Sequence, residues 1–223
     1  MKLTFISDTH TKHKNLVLNG GDLLIHAGDI MNTGLNKNEI INFLSWFADQ
    51  PYDHKIFIAG NHDWYFQRHS DEVKSLLETF EGELTYLEDS GTVFGGQNIW
   101  GTPWQPEFND WAFNLPRNGK ELEEKWNLIP EDVDILISHG PSYGTLDRSS
   151  FSPIPLGCEV LSERLKVVKP KIHVFGHIHH SYGYVTDGSC HYFNASVLCD
   201  NYIYKHKPLN IEWDPNLNEL EFV

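Results

Sequence analysis

Five apolar runs along this chain end in the same chemistry. "FISDTH" closes on Asp8 and His10, "LIHAGD" on Asp29, and "FIAGNHD" on Asn61, His62 and Asp63. "LISHGP" closes on His139, and "VFGHIHH" on His177 and His179. A strand leaving a core ordinarily finishes in a turn of Gly, Asn or Asp. Loops after the carboxyl ends of strands are where α/β sheets assemble their sites. A fold that brings these five ends together gathers carboxylates, an amide and imidazoles around one point.

The rest of the chain supports such an architecture. Strands are predicted at 2–7, 22–28, 55–60, 134–138 and 171–176, with others over "CHYFNAS" and around 210–212 and 218–222. "TVFGGQNIWG" is predicted as a hairpin turning at Gly95-Gly96. Between the strands, "NEIINFLSWFA" carries Ile40, Ile41, Phe43, Leu44 and Phe47 at helical spacing, with Asn36 or Asn38 as its cap. "SDEVKSLLETF" is a second helix with Ser70 at its N-cap, and "GKELEEKW" and "GCEVLSERLKVV" are the third and fourth. Strands alternating with helices indicate an α/β fold. No repeat or linker interrupts 1–223, so one domain is expected.

Unpaired carboxylates and imidazoles at one buried point are costly, and divalent cations remove that cost. Asp8, His10, Asp29, Asn61, His139, His177 and His179 are the candidate ligands. They are too many for one tetrahedral ion. They suit two ions sharing a carboxylate, roughly 3.5–4 Å apart. Nitrogen and oxygen ligands without thiolate favour manganese, iron or zinc over copper and make no clear choice among the three; manganese is the expected ion, with iron or zinc as alternatives.

The ordered set Asp-x-His, Gly-Asp, Gly-Asn-His-Asp, His and Gly-His-x-His resembles the calcineurin-like binuclear metallophosphoesterases. "YDHKIFIAGNHD", "WGTPWQPEFNDWAFNLPR", "KPKIHVFGHIHHSYG" and "FNAS" resemble one subgroup more closely: the metallophosphoesterase-domain-containing proteins of animal brain and their bacterial relatives. The resemblance implies a two-sheet β-sandwich flanked by helices. It assigns Asp8, His10, Asp29 and His179 to one metal, and Asp29, Asn61, His139 and His177 to the second. Asn61 and His62 would also meet the substrate, and Asp63 would orient and tune His62.

The implied reaction is phosphodiester hydrolysis by in-line attack of a metal-bridging hydroxide, with His62 protonating the leaving alkoxide. The expected substrate is a small nucleotide or cyclic nucleotide. A manganese-dependent DNA or RNA endonuclease and a catalytically weak binding scaffold are the alternatives. With 31 acidic and 17 basic residues, the net charge of −14 weighs against a duplex-tracking surface.

Other residues are less specific. Arg117 and Arg148 are candidates to hold a phosphate oxygen. The aromatic run Trp100, Trp104, Phe108, Trp111 and Phe113 is either a self-packing loop or a wall for a nucleobase. The loop over 140–157 is either a pocket border or plain surface. His26 and His173 sit inside apolar strands and are expected to be structural. The start "MKLTFISDTH" is too short in apolar residues for a leader, no run suits a membrane span, and three cysteines are expected as free thiols. The cytoplasm is the expected location.

Overall fold

The structure, a computed structural model, describes residues 1–223. Along the chain come β1 (Lys2–Ile6), β2 (Gly21–His26), α1 (Lys37–Ala48), β3 (Tyr52–Phe57), α2 (Trp64–Arg68), α3 (Ser70–Glu78), β4 (Thr85–Tyr86), β5 (Ser90–Phe94) and β6 (Gln97–Thr102). Then follow β7 (Gln105–Pro106), β8 (Asn114–Leu115), α4 (Lys120–Asn127), β9 (Ile135–Ser138), α5 (Glu159–Val168) and β10 (Ile172–Phe175). The chain finishes with β11 (Gly183–Thr186), β12 (His191–Asn194), β13 (Leu209–Asp214) and β14 (Glu219–Phe222).

Two six-stranded sheets form, in the orders β14-β13-β1-β2-β3-β4 and β11-β12-β10-β9-β6-β5. The strands β1 to β4 run parallel, as do β6, β9, β10 and β12, while the hairpin partners run antiparallel. Strand side chains point to alternate faces, so each apolar run serves two cores. Leu23, Ile25, Ile56 and Ile58 face Ile135, Ile137, Ile172 and Val174 between the sheets. Leu24 and Phe57 turn outward onto Phe43, Leu44 and Phe47 of α1. Leu136 turns outward from the second sheet onto Leu122, Trp126, Leu161 and Leu165 of α4 and α5. The result is a mixed α/β architecture in four layers: helices, sheet, sheet, helices.

Local chemistry explains the boundaries. Asn36 caps α1, its side-chain oxygen accepting from the Asn38 amide at 3.1 Å. Gly95 and Gly96 both have positive φ, which lets the tight turn between β5 and β6 match the twist of its strands. The expected N-cap at Ser70 is corrected: Ser70 is the first helical residue and His69 occupies the cap without a side-chain bond. The reason is α2, which runs almost directly into α3 and stacks Tyr65 on the His69 ring at 4.3 Å. No helix is long and apolar enough to cross a membrane.

The parallel direction of β1, β2, β3, β9 and β10 sends five carboxyl ends to one edge of the sandwich. There the sheets are tied together. Val197, just past β12 of the second sheet, donates its amide to the carbonyl of Ser7, just past β1 of the first. The strands stop sooner than the apolar runs do, because residues such as Ala27 and Ile58 already belong to the loops entering this edge.

Candidate metal centre

The backbone at this edge is strained in a consistent way. Asp8, His10, Asp29 and His177 all have positive φ, at 54°, 39°, 58° and 67°. Residues other than Gly seldom adopt that region, Asn, Asp and His doing so more readily than the rest, and such outliers cluster at functional sites. Two glycines make room. Gly28 has φ of +98°, and a Cβ on Gly176 would lie 2.1 Å from Asp8 Oδ2 and 2.2 Å from Ser7 Oγ.

The imidazoles are oriented by the main chain. His10 Nδ1 lies 3.0 Å from the Met31 carbonyl, His139 Nδ1 2.9 Å from that of Ala27, and His179 Nδ1 3.2 Å from that of Cys199. A carbonyl only accepts, so each Nδ1 carries a hydrogen and each Nε2 is the ring nitrogen that points inward. His139 Nε2 stands 3.4 Å from Asp29 Oδ1, and His179 Nε2 3.1 Å from Asp8 Oδ1. His10 Nε2 is 3.6 Å from Asp29 Oδ2 and, although buried, has no hydrogen-bond partner. Asn61 Oδ1 lies 2.9 Å from His139 Nε2 and 2.8 Å from His177 Nδ1. All seven candidate ligands are therefore drawn into one cluster.

The carboxylates are held from behind. Asp8 accepts from the His177 amide at 3.1 Å and from Ser196 Oγ at 2.8 Å, and Asp29 accepts from the His62 amide at 2.8 Å. Burial opposes charge on both, but the neighbouring imidazoles win, so both carboxyls lie well below their usual range. The same competition raises His139 and His179 to about 9, since Asp29 and Asp8 outweigh the burial that disfavours their charge. Burial dominates at His10, pulled down to about 4, and at His177, pulled down to about 3. With only protons to balance them, two buried carboxylates recruit two imidazoliums.

These residues fit a divalent cation. Three groups place their ligand atoms within 4.8 Å of one another: Asp8, His10 and His179; His10, Asp29 and His62; Asp8, Asp29 and His139. The orphaned Nε2 of His10, aimed at two carboxylates, is the atom a cation would satisfy.

His62 and Asp63 behave differently from expectation. Asp63 does not approach the His62 ring. Its carboxylate accepts from the amides of Gly60 at 2.8 Å, Met31 at 2.8 Å and Ile30 at 3.2 Å, so it ties the loop after β3 to the loop after β2. Burial and the nearby Asp29 push it up to about 7. The expected orienting role falls instead to the Asn32 carbonyl, 2.6 Å from His62 Nδ1, and to Trp111, stacked on the ring at 4.0 Å. A main-chain carbonyl leaves no mark in sequence. Trp111 did, within its aromatic run.

That run divides in two. Trp104 and Phe113 pack into the interior, with Trp104 Nε1 donating to Asp89 at 2.8 Å. Trp111 and Phe108 reach the site, Phe108 lying edge-on to His177 at 5.8 Å. A cavity of about 490 Å³ opens beside His177 and His179, bordered by Gly140, Ser149, Phe151 and Leu156 from the loop over 140–157. Arg117 also lines it, but its guanidinium is engaged by the Leu156 and Gly157 carbonyls and by Glu159 at 2.6 Å. Arg148 contributes main-chain contacts to Ser181. Tyr202, which the sequence did not single out, sits edge-on to His10 at 4.8 Å. His26 and His173 bond to Thr9 and Ser138 inside their sheets and stay out of the cluster. The three cysteines are free.

Comparison with known proteins fits this geometry. The profile of the family described as calcineurin-like phosphoesterase matches residues 1–181. Human metallophosphoesterase domain-containing protein 1 is 43% identical over 227 residues, covering 93% of this chain and 69% of that protein. A UPF0046 protein of Caenorhabditis elegans, T07D4.2, is 37% identical over 215 residues, covering 85% of this chain and 54% of that one. Among solved structures, TT1561 of Thermus thermophilus shares the fold with a TM-score of 0.64 at 14% identity, over 100% of this chain and 97% of that chain.

Proposed function

The chain belongs to the calcineurin-like phosphoesterase family, and from that premise we propose that it hydrolyses phosphodiesters of the nucleotide or cyclic-nucleotide kind with two divalent transition-metal ions. One observation carries the proposal: the inward Nε2 atoms of His10, His139 and His179 converge on the buried carboxylates of Asp8 and Asp29. Asp8, His10, Asp29 and His179 hold one ion. Asp29, Asn61, His139 and His177 would hold the other. A thiolate-free set of nitrogen and oxygen ligands suits manganese, iron or zinc, and manganese is the ion proposed. Bound there, the ions supply a water acidic enough to act near neutral pH and neutralise charge on the phosphoryl oxygens.

The chain's own groups do the rest. His62 keeps its Nδ1 hydrogen on the Asn32 carbonyl, so its Nε2 is the atom that carries a proton to the leaving alkoxide. Trp111 holds the plane of that ring. Asp63 acts at one remove, fixing the loop that carries Asn61 and His62. The cavity beside His177 takes the alcohol portion of the ester. The cytoplasm, where free thiols persist, is the proposed location.

The test is hydrolysis of bis(p-nitrophenyl) phosphate, p-nitrophenyl phosphate, cyclic nucleotides and plasmid DNA with manganese, zinc and iron in turn. The diester and cyclic nucleotides are expected to be cleaved fastest with manganese. Turnover of DNA alone would replace this proposal with a nuclease, and turnover of none would remove it. His62→Ala is expected to keep its metal while hydrolysis falls ~10²-fold or more.

A further inference from the structure

One of the side chains that line the cavity beside the proposed metal ligands carries a buried polar atom that nothing in the protein satisfies. Gln105 is 1% exposed, yet its Oε1 has no hydrogen-bond partner. Buried acceptors are almost always paired, because leaving one unpaired forfeits its hydration without replacement.

Which end of this amide is free follows from its neighbours. Asn114 Nδ2 donates to the carbonyls of Phe108 at 3.1 Å and Asn109 at 2.9 Å. Its Oδ1 must therefore face Gln105, and Gln105 Nε2 donates to it at 3.2 Å. Turning the Gln105 amide over would set two carbonyl oxygens against each other. Gln105 is also pinned along its main chain, donating its amide to the Phe113 carbonyl at 3.1 Å within the β7–β8 pair. The side chain cannot swing elsewhere without abandoning Asn114.

Gln105 lines the same cavity as the proposed metal ligands His177 and His179. A Cβ placed on Gly140 would be 3.8 Å from Gln105 Oε1 and 3.9 Å from His177 Cδ2, so the absence of a side chain there keeps the gap open. Phe108 and Phe151 form apolar walls around it.

We infer that Gln105 is a specificity-determining residue whose Oε1 accepts a hydrogen bond from a donor on the alcohol portion of the ester, a ribose hydroxyl or a base N–H. The inference rests on the hydrolysis proposed above and goes beyond it by naming the residue that selects such substrates. An ester without a donor leaves the oxygen unpaired when it fills the cavity, and discrimination follows from that penalty.

The experiment compares the manganese-loaded protein with Gln105→Leu on two esters. Bis(p-nitrophenyl) phosphate has no donor on either alcohol portion, whereas the p-nitrophenyl ester of thymidine 5′-monophosphate has a sugar hydroxyl and a base N–H. The substitution is expected to lower kcat/KM for the thymidine ester at least ~10-fold and for the donorless ester less than about twofold. Equal losses on both, or none on either, would overturn the inference. If Gln105→Leu does not fold, Gln105→Met keeps chain length and volume and takes its place.

Calorimetric binding of AMP, 2′,3′-dideoxy-AMP and purine riboside 5′-monophosphate provides a readout independent of turnover. The substitution is expected to weaken AMP. An unaffected dideoxy analogue identifies the ribose as the donor, and an unaffected purine riboside analogue identifies the amine. Equal weakening of all three means that Gln105 only shapes the cavity, which overturns the inference. Gln105-dependent binding without turnover of any ester would sink the hydrolase proposal and leave this one standing; turnover indifferent to Gln105 would do the reverse.

Discussion

His62 lies flat against Trp111, with ring centroids 4.0 Å apart and planes 23° from parallel. On its other side His10 meets it edge-on at 4.6 Å, and the Asn32 carbonyl holds Nδ1 at 2.6 Å. Three elements distant in sequence thus leave the ring little freedom, and Nε2 is its one unengaged nitrogen. An aromatic contact of this kind contributes ~0.5–1.5 kcal/mol beyond burial. Trp111→Ala is therefore expected to slow cleavage of esters with poor leaving groups by about 2–10-fold. Metal content should not change. If an activated p-nitrophenyl ester slows equally, Trp111 serves something other than proton delivery.

Metal uptake is expected to release protons. His139 and His179 are raised to about 9 by Asp29 and Asp8, whereas cation ligands must be deprotonated. At pH 7.5, loading both positions should expel close to two protons, and affinity should weaken as pH falls. Without metal the same rings stabilise the fold fully below their unfolded value of ~6.5, and that contribution is lost as pH rises through about 9. Calorimetry in buffers of different ionisation enthalpy measures the release. An absence of buffer dependence would contradict the pairing.

Gly176→Ala tests how tightly the cluster is built. The added methyl would meet Asp8 Oδ2 at 2.1 Å, and that oxygen is already held by Ser196 Oγ at 2.8 Å. Asp8 cannot retreat without releasing this partner. Metal affinity is expected to fall ~10–100-fold in an equilibrium titration. An unchanged titration would mean that Asp8 is not a ligand.

Asp63 offers a sharper substitution than its neighbours. Its carboxylate accepts from three amides and donates nothing, so Asp63→Asn must turn an amide donor toward a main-chain N–H. A loss of ~2–3 kcal/mol in unfolding free energy is expected from denaturant titration. Metal binding should weaken with it, because the loops bearing Asp29 and Asn61 separate. A variant as stable as the parent would show that the loops do not depend on this tie.

His26 and His173 contribute to the acid limit from outside the cluster. Burial pulls both down to about 3 in the folded protein, while the unfolded chain protonates them near ~6.5. As pH falls, the unfolded state takes up these protons first. Stability is therefore complete above ~6.5 and declines from there toward about 3. His173→Phe should make the decline in Tm between pH 6.5 and 4 shallower by about one proton's share. An unaltered slope would assign the acid sensitivity elsewhere.

Much of the candidate site was legible because its chemistry repeats locally. Each apolar run announces a strand, and each is followed within a few residues by Asp, Asn or His. The two-face alternation of Leu23, Leu24 and Ile25, or of Ile135, Leu136 and Ile137, likewise carries the sandwich and its helical cover in plain view. Nothing comparable marks Asp63, which sits beside His62 in sequence but spends its carboxylate on amides of another loop. Ser70 looked like a cap only because α2 was invisible in a five-residue stretch too short for helical periodicity.

By itself, the order of residues determined the class of fold, the set of polar groups that had to meet and the family to which the chain belongs. Strand periodicity and ligand spacing are local properties, written within ten residues of one another. The tertiary structure alone decided the partners: Asn32 rather than Asp63 for His62, Asn114 for one end of Gln105 and none for the other. Those choices depend on which carbonyl or amide arrives at a side chain after two sheets and five loops have packed, and no short stretch of sequence encodes that arrival.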